Sequence, residues 1–105
     1  MGKSPKSQTL QVFEPDPDAV YSIEITERLT HIPRRTIAIY VKHRLVSPAV
    51  EQGGGMFFDE EAIRMLRRIE QLRTGYGVNL PGIKMIVQLL DELEQRQMEL
   101  RFRRG

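Results

Sequence analysis

The fold is decided by residues 22–58, which read SIEITERLTHIPRRTIAIYVKHRLVSPAVEQGGGMFF. Two short amphipathic helix patterns flank a tight turn at residues 30–33, and a glycine-rich loop further on separates two short strand patterns. Apolar residues spaced by three and four predict helices, whereas short apolar runs bounded by turn residues predict strands. This order predicts a helix-turn-helix followed by a β-hairpin wing, an arrangement that places its second helix in a DNA groove.

The first helix is expected to begin after Ser22, a good N-cap, and to run to about Leu29. Ile23 and Leu29 are expected to face the core. His31 takes the tight-turn position where glycine is common, because histidine is enriched among non-glycine residues with positive φ. We interpret His31 as structural rather than as a ligand or catalytic residue. Pro33 is expected in the first turn of the second helix, since its fixed φ and missing N–H suit that position.

The second helix is the candidate recognition helix. Its inward residues are expected to be Ile37, Tyr40 and Val41. Residues 21–50 carry five Lys and Arg against two Glu, a local charge of +3, whereas residues 51–75 carry −1. A basic excess suits a surface that faces phosphates, although a solvated face is the alternative. The candidate DNA contacts at the two ends of this helix are Arg34, Arg35, Lys42, His43 and Arg44.

The wing is predicted as a hairpin of residues 46–50 and 56–58. The wing residues are Gly53, Gly54, Gly55, Met56 and Phe57. The glycines serve turn geometry, DNA contact or both, and these alternatives stay open. A phosphate-cradling nucleotide loop is not expected, because a strand rather than a helix follows the glycines.

A third helix is expected to begin after Asp59 and to run to about Thr74. Arg67 and Arg68 on this helix are candidate phosphate contacts, with solvated side chains as the alternative. The predicted buried stripe consists of Ile63, Leu66, Ile69 and Leu72.

A fourth helix is expected to begin after Asn79, beyond the break at Gly75-Tyr76-Gly77. The a/d pattern of a coiled coil predicts a dimer seam formed by Ile83, Ile86, Leu90, Leu93, Gln97 and Leu100. Residues 79–100 span roughly 33 Å at 1.5 Å per residue, which is enough for a short seam. Further apolar residues widen the stripe, so the first half of this helix is also expected to pack on its own domain.

The composition narrows the class of protein. The chain contains no cysteine, which excludes disulfides and thiolate metal sites and fits a reducing cytoplasm. No apolar run approaches the roughly 18 residues of a membrane span. The two histidines lie near no paired carboxylate, so we expect no enzyme, no metal and no cofactor. We therefore predict a mainly α, cytoplasmic protein with a disordered arm at residues 1–19, a winged helix-turn-helix at 20–75 and a dimerisation helix at 76–105.

Residues 23–48 and 53–61 resemble the helix-turn-helix and wing of the MerR-type regulators. The segment GVNLPGIK at residues 77–84 is similar to the heat-shock repressors of that group and to the MerR-like chaperone modulators. The resemblance implies a homodimer held by antiparallel C-terminal helices. It also implies recognition helices that read two half-sites of double-stranded DNA, with the wings on the flanking backbone.

The chain departs from the family pattern at several positions. By alignment, Thr36 falls on the recognition helix beside the two arginines before it. Ala38 and Met56 stand where the family usually has arginines that contact phosphate, so two charge-assisted bonds are missing. Ile39 replaces a common tyrosine, and Arg44 replaces a common glycine.

Three hypotheses follow. The first is a MerR-type DNA-binding transcriptional regulator of chaperone or heat-shock genes, without a sensor domain, since the sequence stops at Gly105. The second is a chaperone modulator that binds the J-domain of a Hsp40-type co-chaperone. Because J-domains present a basic helix, its candidate contacts are Asp59, Glu60, Glu61, Asp91, Glu92 and Glu94. The third is a dimeric module with neither partner.

Overall fold

The computed structural model describes residue 16 and residues 18–104. Most of the predicted arm at residues 1–19 lies outside the described residues. The elements are β1 (Val20–Ser22), α1 (Ile23–Thr30), α2 (Arg34–Lys42), β2 (Val50–Gln52), β3 (Gly55–Asp59), α3 (Glu60–Glu70), a π-helical turn (Gln71–Gly75) and α4 (Leu80–Arg104). The prediction of a mainly α fold with a helix-turn-helix, a hairpin wing and a long C-terminal helix is confirmed.

The sheet has three antiparallel strands in the order β1-β3-β2, so β3 is central. The sequence pattern missed β1, which pairs Val20 with Asp59 and so joins the chain before α1 to the wing. Gly53 and Gly54 form the tip of the hairpin with φ of 60° and 78°. Glycine suits this tip because two-residue hairpin turns require positive φ.

The predicted first strand of the wing, residues 46–50, is wrong in its start. Val46 lies in the core, and β2 begins only at Val50. The N–H of Ala49 donates to the Phe57 carbonyl at 2.9 Å, whereas Pro48 has no N–H to donate to a ladder. Hydrogen bonding to β3 therefore reaches back only to Ala49, and Val46 serves the core instead.

The helix starts follow the predicted caps. The Ser22 hydroxyl accepts from the N–H of Ile25 at 3.2 Å. The Asp59 carboxylate accepts from the N–H of Ala62 at 2.9 Å. The Asn79 side chain likewise accepts from the N–H at position 82 at 2.9 Å. Each bond satisfies one of the N–H groups that a helix start leaves without a partner.

The structure defines the turn between α1 and α2 and the end of α2 more precisely than the sequence does. Pro33 precedes α2 as its N-cap, one residue earlier than predicted. His31 has a φ of 62°, as predicted for the tight turn. Arg44 also has a φ of 62°, and it ends α2 in a motif where the N–H of Leu45 donates to the Tyr40 carbonyl at 2.9 Å. This motif usually carries glycine, so Arg44 occupies the place where the family has one.

The core lies between the helix-turn-helix, β3, α3 and the start of α4. Its fully buried side chains are Thr26, Ile32, Ile37, Tyr40, Phe58, Leu66, Ile69 and Ile83. The inward prediction for Leu29 is wrong, because this side chain is 41% exposed. Thr26, one helical turn earlier, takes the buried position on α1 instead.

The long helix α4 has two different halves. Ile83 is fully buried, so its assignment to an exposed dimer seam is wrong, and it anchors α4 to the domain. Ile86 and Leu90 are half-buried, whereas every residue from 91 to 103 is exposed. Among the described residues, no helix is long and apolar enough to cross a membrane.

Gly82 provides a test of how α4 packs at its start. A Cβ at this position would lie 2.8 Å from Cγ1 of Val78 and 3.1 Å from Oδ1 of Asn79, which caps the helix. We expect Gly82→Ala to lower the free energy of unfolding by about 1–2 kcal/mol, because the side chain must displace the cap. Alanine normally favours a helix over glycine by about 1 kcal/mol, so a stabilised variant in urea unfolding would contradict this packing. Gly75→Ala is the control, since its nearest atom lies 3.8 Å away.

Candidate nucleic-acid interface

The outer face of α2 is the most accessible part of the helix-turn-helix. Arg35, Ala38, Ile39 and Lys42 are exposed along it, while Ile37 and Tyr40 point into the core. Residues three and four apart share one side of a helix, so these exposed residues form a single stripe. Within residues 18–104, Arg35 and Lys42 take part in no ion pair. The stripe therefore offers two cations, one near each end, around an apolar centre.

Arg34 lies at the start of α2 but is engaged within the chain. Its backbone N–H donates to Oε2 of Glu27 at 3.1 Å, and its Nε donates to Oε1 of the same carboxylate at 3.2 Å. A further contact joins the guanidinium to Glu24 at 3.4 Å. These bonds lower the pKa of the Glu27 carboxyl, the backbone N–H of Arg34 contributing most. Arg34 thus holds α2 against α1, which competes with its predicted role as a DNA contact.

Arg67 on α3 is also engaged. Its guanidinium donates to the backbone carbonyl of Leu29 at 3.1 Å. That carbonyl lies at the end of α1, where helix carbonyls lack intrahelical partners. Arg67 therefore has a structural role, because it joins α3 to the end of α1. Its contact with phosphate stays a prediction.

Arg44 and Arg68 do not extend the stripe of α2. Both line a groove of about 400 Å³ between the helix-turn-helix and α4. Its remaining charged residues are Asp59, Glu61, Asp91 and Glu94, and its apolar ones are Leu45, Val46, Ala62, Met65, Val87 and Leu90. We call this feature the α4 groove. All four acidic residues were predicted from the sequence as candidate contacts of a protein partner. The groove forms only when α4 packs on the domain, so the sequence did not reveal it.

The remaining predicted DNA contacts lie in the wing and on or next to α2. Gly53 and Gly54 are exposed at the tip of the wing, whereas Met56 is half-buried and packs against the core. Thr36 is half-buried, and His43 is exposed at the end of α2. The wing therefore offers backbone rather than long side chains at its tip.

A buried hydrogen-bonded group that sequence reasoning missed supports α2 from below. The Tyr40 hydroxyl donates to Oε1 of Glu70 at 2.8 Å and accepts from the Arg73 guanidinium at 2.9 Å. Burial raises the pKa of Tyr40, and Glu70 acts in the same direction, so the hydroxyl keeps its proton. Partners 30 and 33 residues away in sequence carry no local signal that could have revealed this group.

Among the described residues, no three His, Cys, Asp or Glu side chains are grouped so that they could hold a metal ion. The features that remain are charged and apolar surfaces on a helix-turn-helix.

The sequence pattern of the MerR helix-turn-helix regulatory proteins matches residues 21–104. The chain belongs to this family. A Streptomyces coelicolor relative, named as the heat shock protein HspR, is 36% identical over 84 residues, which are 77% of this chain and 56% of that protein. The MerR-family chain thus spans little more than half the length of that relative.

Two further comparisons bear on the family. The chaperone modulatory protein CbpM of Coxiella burnetii is 27% identical over 79 residues, which are 75% of this chain and 74% of that protein. A solved structure of HiNmlR, a MerR family regulator lacking the sensor domain and bound to promoter DNA, has a TM-score of 0.63. The matched region covers 79% of this chain and 66% of that chain at 19% identity, so this comparison supports the fold alone.

The Glu27 carboxylate provides a pH test of the α1–α2 turn. Its pKa in the folded chain lies below the ordinary value of 4.5, so its stabilising effect is present above that value. The effect is lost as the pH falls through the lower, folded pKa. We expect Glu27→Gln to unfold at a lower urea concentration than the native chain at pH 7, with the difference shrinking below about pH 4.5.

The matched control is Glu61→Gln, which removes a carboxylate whose ion pair with Arg64 lies within a single helix. Its loss of stability at pH 7 should be smaller, since exposed pairs of this kind contribute little. Equal losses for the two variants would show that Glu27 does not hold the turn.

Proposed function

We propose that this MerR-family chain is a DNA-binding transcriptional regulator whose helix α2 enters the major groove. The observation that carries the proposal is the exposed stripe of α2, with Arg35 and Lys42 unpaired within residues 18–104 at its two ends. Cations placed in this way suit phosphates on both sides of a groove. The relative named as a heat shock protein and the DNA-bound structure of a family member support the same reading.

The scaffold under α2 supports this role, because a recognition helix must be held in a fixed orientation. Glu27 binds its N-terminal end, and the Tyr40 hydroxyl ties its buried side to Glu70 and Arg73. The exposed tip at Gly53 and Gly54 offers backbone groups to the phosphates that flank the groove.

The second half of α4 supports a dimer, with residues 76–105 as the dimerisation part. Leu93 and Leu100 are 55% and 57% exposed, and every residue from 91 to 103 is exposed. A helix without tertiary packing is marginal in water, so a second copy would stabilise it. An antiparallel pairing centred near Gln95 sets a positions against d positions, with Leu90 opposite the partner subunit's Leu100.

From the name of the heat shock relative we also propose which class of genes this regulator controls. Genes for chaperones or other heat-shock proteins are its proposed targets, and the cytoplasm is its proposed location.

A salt titration of DNA binding tests the main proposal. Fluorescence anisotropy with a pool of random 30-base-pair duplexes should give a binding constant that falls linearly with salt on logarithmic axes, between about 50 and 200 mM. We expect Arg35→Ala/Lys42→Ala to reduce the slope by about 2 per protomer, since each phosphate contact contributes about 0.9.

The control is Arg101→Ala/Arg103→Ala, which removes the same charge from the end of α4 and should leave the slope nearly unchanged.

A variant of the proposed dimer seam tests the role of the dimer. Leu93→Asp places a charge on the seam and should weaken DNA binding by separating the protomers. If the native chain binds no duplex at about 50 mM salt, the proposal is wrong.

The α4 groove favours a second candidate function. Its four carboxylates outnumber its two arginines around apolar residues, which suits a basic amphipathic helix, and a chaperone modulatory protein is among the relatives. In this version the chain binds the J-domain of a Hsp40-type co-chaperone. Glu61 and Asp91 are exposed on two different elements at the rim, so a helix lying in the groove would meet both.

Charge reversal in the groove separates the two functions. Isothermal calorimetry with a purified J-domain should show binding that Glu61→Lys/Asp91→Lys weakens by about tenfold or more, because like charges then face each other. Arg35→Ala/Lys42→Ala should bind the J-domain as the native chain does. An absence of heat with the native chain would remove the second candidate and leave the first untouched.

A further inference from the structure

The centre of the exposed stripe of α2 is apolar. Ala38 is exposed, and Ile39 is 40% exposed although isoleucine is usually buried. The polar groups that could read bases from this helix are few, because Arg34 is bound to two glutamates and Thr36 is half-buried. The middle of the stripe therefore offers apolar side chains, rather than hydrogen-bonding groups, to whatever contacts α2.

The major groove offers one apolar group, the 5-methyl group of thymine. We propose that Ala38 and Ile39 read thymine methyl groups, so that each protomer prefers an A·T pair at the centre of its half-site. This inference rests on the proposed DNA-binding function and adds which base pairs the protein prefers. Neither apolar side chain offers a hydrogen bond that would select another base.

The dimensions of the stripe agree with this reading. Arg35 and Lys42 are seven residues apart, about 10.5 Å along a helix axis. The major groove is about 12 Å wide, so the two cations reach the phosphates on its two sides. Ala38 and Ile39 lie between them and therefore face the base edges.

A second protein is a poorer occupant of the same stripe. Two adjacent apolar side chains form a patch far smaller than the roughly 800 Å² per partner of a stable protein interface. The cations near both ends of the patch would also be left without anions in an apolar interface, which is unfavourable. A polyanion with apolar groups between its charges fits both observations.

Replacing thymine by deoxyuridine tests the inference, because it removes the methyl group and keeps the base pair. A tight-binding duplex is first selected from a random pool, and its Kd is then measured with thymine and with deoxyuridine at each central position. We expect deoxyuridine to weaken binding about fourfold for each contacted methyl group, since burial of one such group contributes about 0.8 kcal/mol.

Variants at position 39 identify the reader. Ile39→Gln should bring the ratio of the two Kd values close to one at the base pair that Ile39 contacts, whereas Ile39→Val should keep most of it. Ile25→Gln is the matched control, because Ile25 is 39% exposed on α1, and its ratio should equal that of the native chain. Melting curves of the free variants confirm that each one is folded.

The outcomes separate the two levels of the argument. If the native chain selects no duplex, the proposed DNA-binding function is wrong. If it binds both duplexes equally, DNA binding stands and the reading of thymine methyl groups is overturned. Native ratios that persist unchanged at every central position in Ile39→Gln also overturn the inference, because the methyl groups would then act through DNA shape or another residue.

Discussion

The buried hydroxyl of Tyr40 is the contact on which the orientation of α2 depends. It joins α2 to Glu70 at the end of α3 and to Arg73 in the π-helical turn, which leads into α4. A buried hydroxyl without a partner would destabilise the fold, so these bonds stabilise the position of α2. The proposed DNA-reading helix and the turn before the proposed dimer helix are therefore joined through one small cluster.

The cations of this chain divide into structural and available ones. Arg34 and Arg67 join helices through Glu27 and the Leu29 carbonyl, while Arg35 and Lys42 are exposed on the stripe of α2. This division leaves two exposed cations on α2 for the proposed phosphate contacts, although the chain has no arginine at positions 38 and 56. It also separates the proposed DNA surface from the acidic α4 groove, so the two candidate partners need not compete for the same residues.

Much of the fold could be predicted from local pattern. Ser22, Asp59 and Asn79 cap the helices as expected, because a cap depends only on residues within one turn. The strand β1 and the true start of β2 were not predictable, because three-residue strands leave too little alternation. Leu29 was misplaced because the apolar pattern of a short helix does not say which side meets the core.

The sequence alone determined the order of elements, the family resemblance and the basic excess of the helix-turn-helix, since these depend on spacing and composition along the chain. The tertiary structure alone decided that Ile83 belongs to the core, that Arg44 and Arg68 line a groove, and which cations of α2 are engaged. The physical reason is that these features depend on contacts between different helices. Such contacts form only when the helices pack, and the periodic pattern within one helix does not encode them.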